Sequence, residues 1–230
     1  MVCGDCLAIL PAVGRADHVV TDPPYDERTH ASAVSGKVTE GAGLTFAYLP
    51  DPSALAVVLL RSAARWCLAF GSVESMGAYR DGAGKAWVRS GIWDKINPTP
   101  QLTGDRPGQA VEAIAIMHRI GVKKRWNKRG EAGIWRYMPP RGDDRPEHET
   151  PKPVDLMLAL IADFTDPDDI ILDPFCGSGT TGVAAIRLGR RFIGIEREPK
   201  WAELSRERIG AEIAGSTLQA ARAGQEPLFR

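Results

Sequence analysis

One run of 27 residues, "IILDPFCGSGTTGVAAIRLGRRFIGIE" from position 170 to 196, restricts this chain more than any other stretch. An apolar, β-branched segment ends in an acid, Asp173. A turn containing Gly177 and Gly179 follows, then a helix-forming segment that stops at Gly189. The second strand-like segment ends in Glu196. Strand, helix and strand in so short a span form a βαβ unit, which requires parallel strands and a right-handed crossover. Glycines let a backbone approach a ligand closely, and an acid about 20 residues further on is placed to accept ribose hydroxyls. This is the layout of a nucleoside site in a doubly wound sheet. No lysine follows the glycines, so the turn is not a triphosphate-binding loop. A tight turn without a ligand is the plain alternative.

The rest of the chain supplies further alternating elements. The segments "DHVV", "WCLAFG", "AWVRSGIWDKI" and "VEAIAIMHRI" read as strands. The segments "DPSALAVVLLRSAAR", residues 74–80, "PKPVDLMLALIADFT" and "EPKWAELSRERIGAEIAG" read as helices, the first with Pro52 at its start and Asp51 or Ser53 as cap. Residues 26–43 are polar, rich in Gly and Ser and without a period, so they read as a loop. With 230 residues, the chain suits one core rather than two. No apolar run reaches membrane-spanning length, so no membrane association is expected. The segment "MVCGDCLAIL" has no basic region ahead of its apolar residues and does not read as a signal peptide. Cys3 and Cys6 form a lone C-x-x-C with no second pair at zinc spacing, so no metal is expected and reduced cysteines of a cytoplasmic protein are the better reading.

The formal net charge is zero, but it is unevenly spread. Between positions 119 and 145 there are nine basic residues and three acidic ones, interleaved with Trp126, Trp135 and Tyr137. Residues 121–150 show little periodicity and many turn formers, and read as an irregular insertion. Local positive charge with aromatic rings suits phosphate contact plus stacking, although a solvated face is the usual fate of such runs. The candidate DNA contacts are Lys123, Lys124, Arg125, Trp126, Lys128, Arg129 and Arg136.

The second chemical motif is "VVTDPPY", near the front of the chain. A strand delivers an acid, Asp22, to a turn stiffened by Pro23 and Pro24, and Tyr25 offers a flat ring. Taken with "DPFCGSGTT" and "GIE", this motif closely resembles those of the DNA amino-methyltransferases. The catalytic motif comes first and the cofactor motif second, as in the β-class of these enzymes, a circularly permuted order with the target-recognition region between. "GDCLAILP" and "HETPKPVDLM" resemble flanking segments of the same class. The resemblance runs to about Ile213 and implies a single catalytic domain over residues 1–230. That domain would be a Rossmann-like α/β fold, with a mostly parallel sheet and helices on both faces. The target-recognition insertion is expected at about 97–150 and a flexible tail at 215–230. A strand that relatives often carry ahead of "GDCLAIL" is expected to be missing.

The resemblance also implies roles. Asp22 and the Pro23 carbonyl would accept the two hydrogens of an exocyclic amine, Pro24 would fix the turn, and Tyr25 would stack on an extruded base. The cofactor would be S-adenosylmethionine, held by Asp5, Cys6, Asp22, Lys152, Asp173, Pro174, Phe175, Cys176, Gly177, Ser178, Gly179, Thr180, Thr181, Glu196 and Arg197. Within this set Glu196 would take the ribose hydroxyls, and Lys152 would lie near the methionine carboxylate. Asp at the head of the motif resembles the adenine-N6 enzymes more than the cytosine-N4 ones. Cytosine-N4, RNA or protein methylation, and a non-catalytic DNA-binding protein are the rival readings. Expected partners are double-stranded DNA and a second copy in a homodimer. "GQEPLFR" resembles a sliding-clamp-binding peptide through Gln225, Leu228 and Phe229. The expected setting is restriction–modification in a bacterial cytoplasm, encoded by host or phage.

Overall fold

Residues 1–24, 51–98, 100–140 and 151–223 are described by the structure, a computed structural model. Tyr25, the loop read at 26–43, the 141–150 end of the insertion and the tail residues Gln225, Leu228 and Phe229 lie outside them.

Eight strands form one sheet: β1 (Val2–Cys3), β2 (His18–Thr21), β3 (Trp66–Gly71), β4 (Trp87–Lys95), β5 (Val111–His118), β6 (Ile134–Tyr137), β7 (Ile170–Asp173) and β8 (Arg191–Glu196). Their order is β1-β8-β7-β2-β3-β5-β4-β6. Every neighbouring pair is parallel except the two that involve β5. β2 (HVVT) and β3 (WCLAFG) are buried at every position. Parallel strands covered on both faces need continuous apolar runs, and these two are such runs.

The helices are α1 (Cys6–Val13), α2 (Pro52–Ser62), α3 (Met76–Ala83), α4 (Val154–Phe164), α5 (Thr180–Arg187), α6 (Pro199–Ile213) and α7 (Leu218–Arg222). α1, α2 and α3 bury Leu10, Leu55, Leu59, Met76 and Tyr79 on one face of the sheet. α4 and α5 bury Leu156, Leu160, Ile161 and Ala184 on the other. The apolar positions of α4 recur three and four apart, so one stripe of the helix meets the sheet. Asp51 caps α2 by accepting from the Ser53 amide, and Pro52 occupies the first turn, where its missing N–H costs nothing.

Three expectations change. The N-terminal strand is present: Val2 and Cys3 pair with Ile195 and Glu196. The segment read as irregular, 121–150, contains a strand of the sheet, β6. Trp126 and Trp135 turn inward. Trp135 is buried on β6 and donates from Nε1 to Asp163 Oδ2 at 2.8 Å, and both rings pack near Phe164.

Chain order runs outward from β2 to β3 on one side and from β7 to β8 on the other. The strand order therefore reverses between β2 and β7. In open α/β sheets, the crevice for ligands opens at the carboxyl ends of the strands at such a reversal.

Candidate active site

The two central strands each present an acid at that crevice. β7 ends in Asp173, and Asp22 follows Thr21, the last residue of β2. Asp173 is buried. Thr21 Oγ1 donates to its Oδ1 at 2.6 Å, and the Phe175 amide donates to the same oxygen at 3.1 Å. Burial pushes its pKa up to about 6, with the charge of Asp22 adding to the effect, against the stabilising hydroxyls of Thr181 and Thr21. Pro23 is buried, and Asp22 and Pro24 are half-buried.

The glycine-rich turn leaves β7 beside them. Gly177 and Gly179 have φ of 51° and 83°, the left-handed region that glycine enters without steric cost. A Cβ at Gly179 would stand 2.4 Å from Ser205 Oγ, so the turn lies flush against α6. Arg208 of α6 holds the turn from behind, donating to the Ser178 carbonyl at 2.6 Å and its Oγ at 3.1 Å. Cys176 is also turned inward, with Sγ 3.3 Å from Ser205 Oγ, and burial drives its thiol pKa far up. The side chains of Ser178 and Cys176 therefore serve packing. A ligand in the cradle would meet this turn largely through its backbone.

Glu196 closes the far end of the cradle. Its carboxylate accepts from the Gly177 amide at 2.7 Å and the Glu198 amide at 2.8 Å. Each carboxylate oxygen has a second lone pair, which suits a diol. β1 brings two further expected residues here. Gly4 N–H donates to the Glu196 carbonyl at 2.9 Å. Asp5 then caps α1, accepting from the Leu7 amide at 2.8 Å, with Cys6 next to it. Burial first, and the charge of Asp5 second, raise the Cys6 thiol to about 11. Arg197 is exposed just beyond Glu196, and Pro174, the residue before Phe175, is buried. Left-handed glycines, the Glu196 carboxylate and Asp5 beside it are groups of the kind that would suit the nucleoside end of S-adenosylmethionine.

Sequence reasoning missed Glu112 and Lys95, which stand around two residues it named. Lys152, buried at the start of α4, places Nζ 2.5 Å from Asp22 Oδ2 and 3.2 Å from Glu112 Oε2. Glu112 in turn meets Lys95 Nζ at 2.6 Å. The Lys152 ammonium also stands 5.0 Å from the Phe70 ring centroid and 6.0 Å from that of Trp93. Burial works to lower the pKa of Lys152, but the Asp22 and Glu112 carboxylates outweigh it and hold it above the ordinary lysine value. Asp22 and Lys152 of this chain of charges carried a motif signal, and Glu112 and Lys95 did not. Glu112 and Lys95 sit on β5 and β4, and the pairing of those strands brings them here.

The expected DNA contacts are divided. β3 pairs with β5 so that Trp66 faces His118 and Gly71 faces Ala113. Residues 119–128 therefore leave the edge of the sheet opposite Asp22. They are pinned there: Trp66 Nε1 donates to the Arg125 carbonyl at 2.7 Å, and Asn127 Nδ2 to the carbonyls of Ala162 and Thr165 at 2.9 Å each. Six residues of β3 separate the two edges, about 20 Å at the usual strand rise. Lys123, Lys124, Arg125, Trp126, Lys128 and Arg129 are thus not gathered around the acid. Arg136 is closer, on β6 opposite Asp94, whose carboxylate it meets at 2.9 Å. The loop joining β4 to β5, with exposed Leu102 and Arg106, opens on the Asp22 edge.

Among the described residues, no group of three or more His, Cys, Asp or Glu side chains is arranged to hold a metal ion, and no helix is long and apolar enough to cross a membrane.

Comparison with known proteins gives a consistent result. The N6/N4 DNA methylase family profile matches residues 16–207. The type II methyltransferase M.HinfI of Haemophilus influenzae is 26% identical, over 90% of this chain and 67% of its own length. The type II methyltransferase M2.MboI of Moraxella bovis is 37% identical over 50% of this chain. The match covers 47% of that protein, so the chain spans about half the length of this relative. Among solved structures, the M1.HpyAVI–SAM complex superposes with a TM-score of 0.72 at 25% identity, covering 90% of this chain and 97% of the other.

Proposed function

This chain belongs to the N6/N4 DNA methylase family, and from that premise we propose that it methylates the N6 amine of adenine in double-stranded DNA. S-adenosylmethionine is the methyl donor. One observation carries the reading. The Asp22-Pro23-Pro24 strand end and the Asp173 glycine turn lie on adjacent parallel strands, β2 and β7, at the reversal of the sheet. An acceptor site for an amine thus faces a cradle for a nucleoside.

An exocyclic amine is a weak nucleophile because its lone pair is delocalised into the ring. The residues of this chain counter that by position. Asp22 accepts one amine hydrogen and the Pro23 carbonyl the other, which localises the lone pair on nitrogen and aims it. The bound cofactor supplies a methyl group on a cationic sulfur. The amine nitrogen would take that methyl group with sulfur leaving as a neutral thioether, and the proton shed by the methylated, transiently positive nitrogen would pass to water. Asp22 stabilises that charge as it develops, an electrostatic effect already built in before reaction. Glu196 and the Gly177 and Gly179 backbone hold the donor. Asp173 fixes the turn through Thr21, Thr181 and the Phe175 amide. Tyr25 would stack on the flipped base.

Adenine is favoured because Asp, rather than Ser, heads the motif. The family itself includes cytosine-N4 enzymes, so the base is the point to test. DNA incubated with the protein and methyl-labelled S-adenosylmethionine is digested to nucleosides and analysed by mass spectrometry. Labelled N6-methyl-2′-deoxyadenosine is the expected product. Labelled N4-methylcytosine would keep the fold and mechanism but change the base. A label found only in RNA or protein would refute DNA as the substrate.

A further inference from the structure

Asp22 does not stand alone at the end of β2: Lys152, from the segment before α4, and Glu112, which belongs to no motif, stand beside it. We propose that Lys152 and Glu112 are positioning residues for Asp22: Lys152 orients the carboxylate and keeps it ionised, and Glu112 limits how tightly Lys152 holds it. This rests on the methyltransferase reading above, and it takes Lys152 away from the cofactor.

The geometry is specific. Lys152 is flanked by Pro151 and Pro153, which restrict the backbone on both sides of it. Pro153 has φ −60° and ψ 135°, extended, and α4 begins at the next residue. The reach of Lys152 is therefore fixed by a stiff segment at a helix start. Its side chain is 8% exposed, against 27% for Asp22. An ammonium so deeply placed is stable only with opposite charges at hand. Among the described residues it meets Asp22 and Glu112 and the aromatic faces of Phe70 and Trp93.

A contact to Oδ2 fixes the plane of the Asp22 carboxylate. It thereby fixes the direction from which an amine hydrogen meets the other oxygen. The cation has a second effect. Asp22 lies within electrostatic reach of Asp173, and a like charge nearby favours a protonated carboxyl. A protonated Asp22 would be a poor acceptor for the amine. Lys152 opposes that. A full, unshared lysine charge on Asp22 would also weaken its oxygens as acceptors. Glu112 divides the lysine between two carboxylates, and Lys95 holds Glu112 from its far side at 2.6 Å.

The two partners have opposite signs, so their removal must shift the active site in opposite directions. Without Lys152, Asp22 is protonated more easily. Without Glu112, the lysine is shared with one carboxylate fewer and Asp22 is protonated less easily. The test is the pH profile of single-turnover transfer of labelled methyl from saturating S-adenosylmethionine to duplex DNA. The wild type, Lys152→Met and Glu112→Gln are compared, with cofactor affinity from calorimetry and a thermal melt for each. Lys152→Met is expected to lower the rate about 100-fold and to move the acid limb up by about one pH unit, with cofactor affinity within about threefold. Glu112→Gln is expected to move the acid limb down. If Lys152→Met does not fold, the Glu112→Gln shift alone decides. A weakened cofactor affinity with rate and acid limb unchanged in Lys152→Met would return Lys152 to the cofactor and overturn the inference. An unmoved acid limb in both variants, or in Glu112→Gln when it alone is testable, would do the same. Transfer by the wild type tests the underlying reading separately. If the wild type moves no label to DNA, both fall.

Discussion

The two edges of the sheet are built from the same strands, and both are dense in charge, yet they do different work. At the carboxyl edge of β2 and β7 stand Asp22, Asp173, the glycine turn and, one strand further, Glu196. At the opposite edge His18, Asp17, Arg65 and Asp169 form a closed network. Asp169 accepts from His18 Nε2 at 3.0 Å and from the Asp166 amide at 2.8 Å, and it pairs with Arg65. The Trp66 amide donates to His18 Nδ1 at 3.3 Å, which leaves Nε2 as the protonated nitrogen. Burial first, then the Arg65 charge, lowers the His18 pKa to about 4, so the ring is neutral at pH 7. Every one of these groups is directed at another part of the chain. The carboxyl edge instead presents left-handed glycines and carboxylates to a crevice. Charge density alone does not mark a site. The end of the strand at which the charge stands, and what it faces, do.

The contrast makes substitutions at the two edges separable. Glu196→Gln removes a charged acceptor at the cradle and should weaken S-adenosylmethionine binding about tenfold to a hundredfold, leaving the thermal midpoint within a degree or two. Asp169→Asn, at the other edge, should do the reverse. It should lower the midpoint by several degrees at pH 7 and leave cofactor affinity unchanged, as calorimetry and melting on the same preparations would show. Burial alone would raise the pKa of Asp169, but the Asp166 amide and Arg65 outweigh it and hold it below the ordinary carboxylate value. Its stabilisation is therefore full above about pH 4 and is lost as pH falls through the lowered value. The penalty of Asp169→Asn should shrink over that same acid range. A cofactor-binding defect in Asp169→Asn would break the comparison.

The smallest expected effect concerns the basic segment. Lys123 and Lys124 lie at the edge opposite Asp22, so their joint change to Ala should move the KM for DNA by less than about twofold. Arg106 and Arg136, nearer the Asp22 edge, should cost more, with a shallower dependence on salt. A large effect from Lys123 and Lys124 would mean that DNA reaches across both edges.

Much of this was legible in the sequence, for local reasons. The acid, the glycine turn and Glu196 fall within 27 residues, and one βαβ unit places them all. Asp22 announced itself through its prolines. The parts that escaped depend on distant pairing. β1 has two residues, too few for a period, and exists because β8 offers it an edge. Glu112 reads as an ordinary acid at the start of an apolar strand, and only the antiparallel register of β5 against β4 brings it to Lys95 and Lys152. Trp126 and Trp135 looked like rings for stacking because of their basic neighbours. Trp135 instead alternates inward on β6, where its N–H finds Asp163. Charged neighbours say nothing about which way a strand residue points.

On this reading Asp22 addresses the amine while the Asp173 side of the crevice holds the donor. The most direct test is Asp22→Ala, with S-adenosylmethionine binding measured by calorimetry and methyl transfer to duplex DNA measured in a single turnover on the same preparation. The expected result is cofactor binding within a few-fold of wild type and transfer slowed by about a thousandfold or more. Transfer at an undiminished rate would contradict the claim.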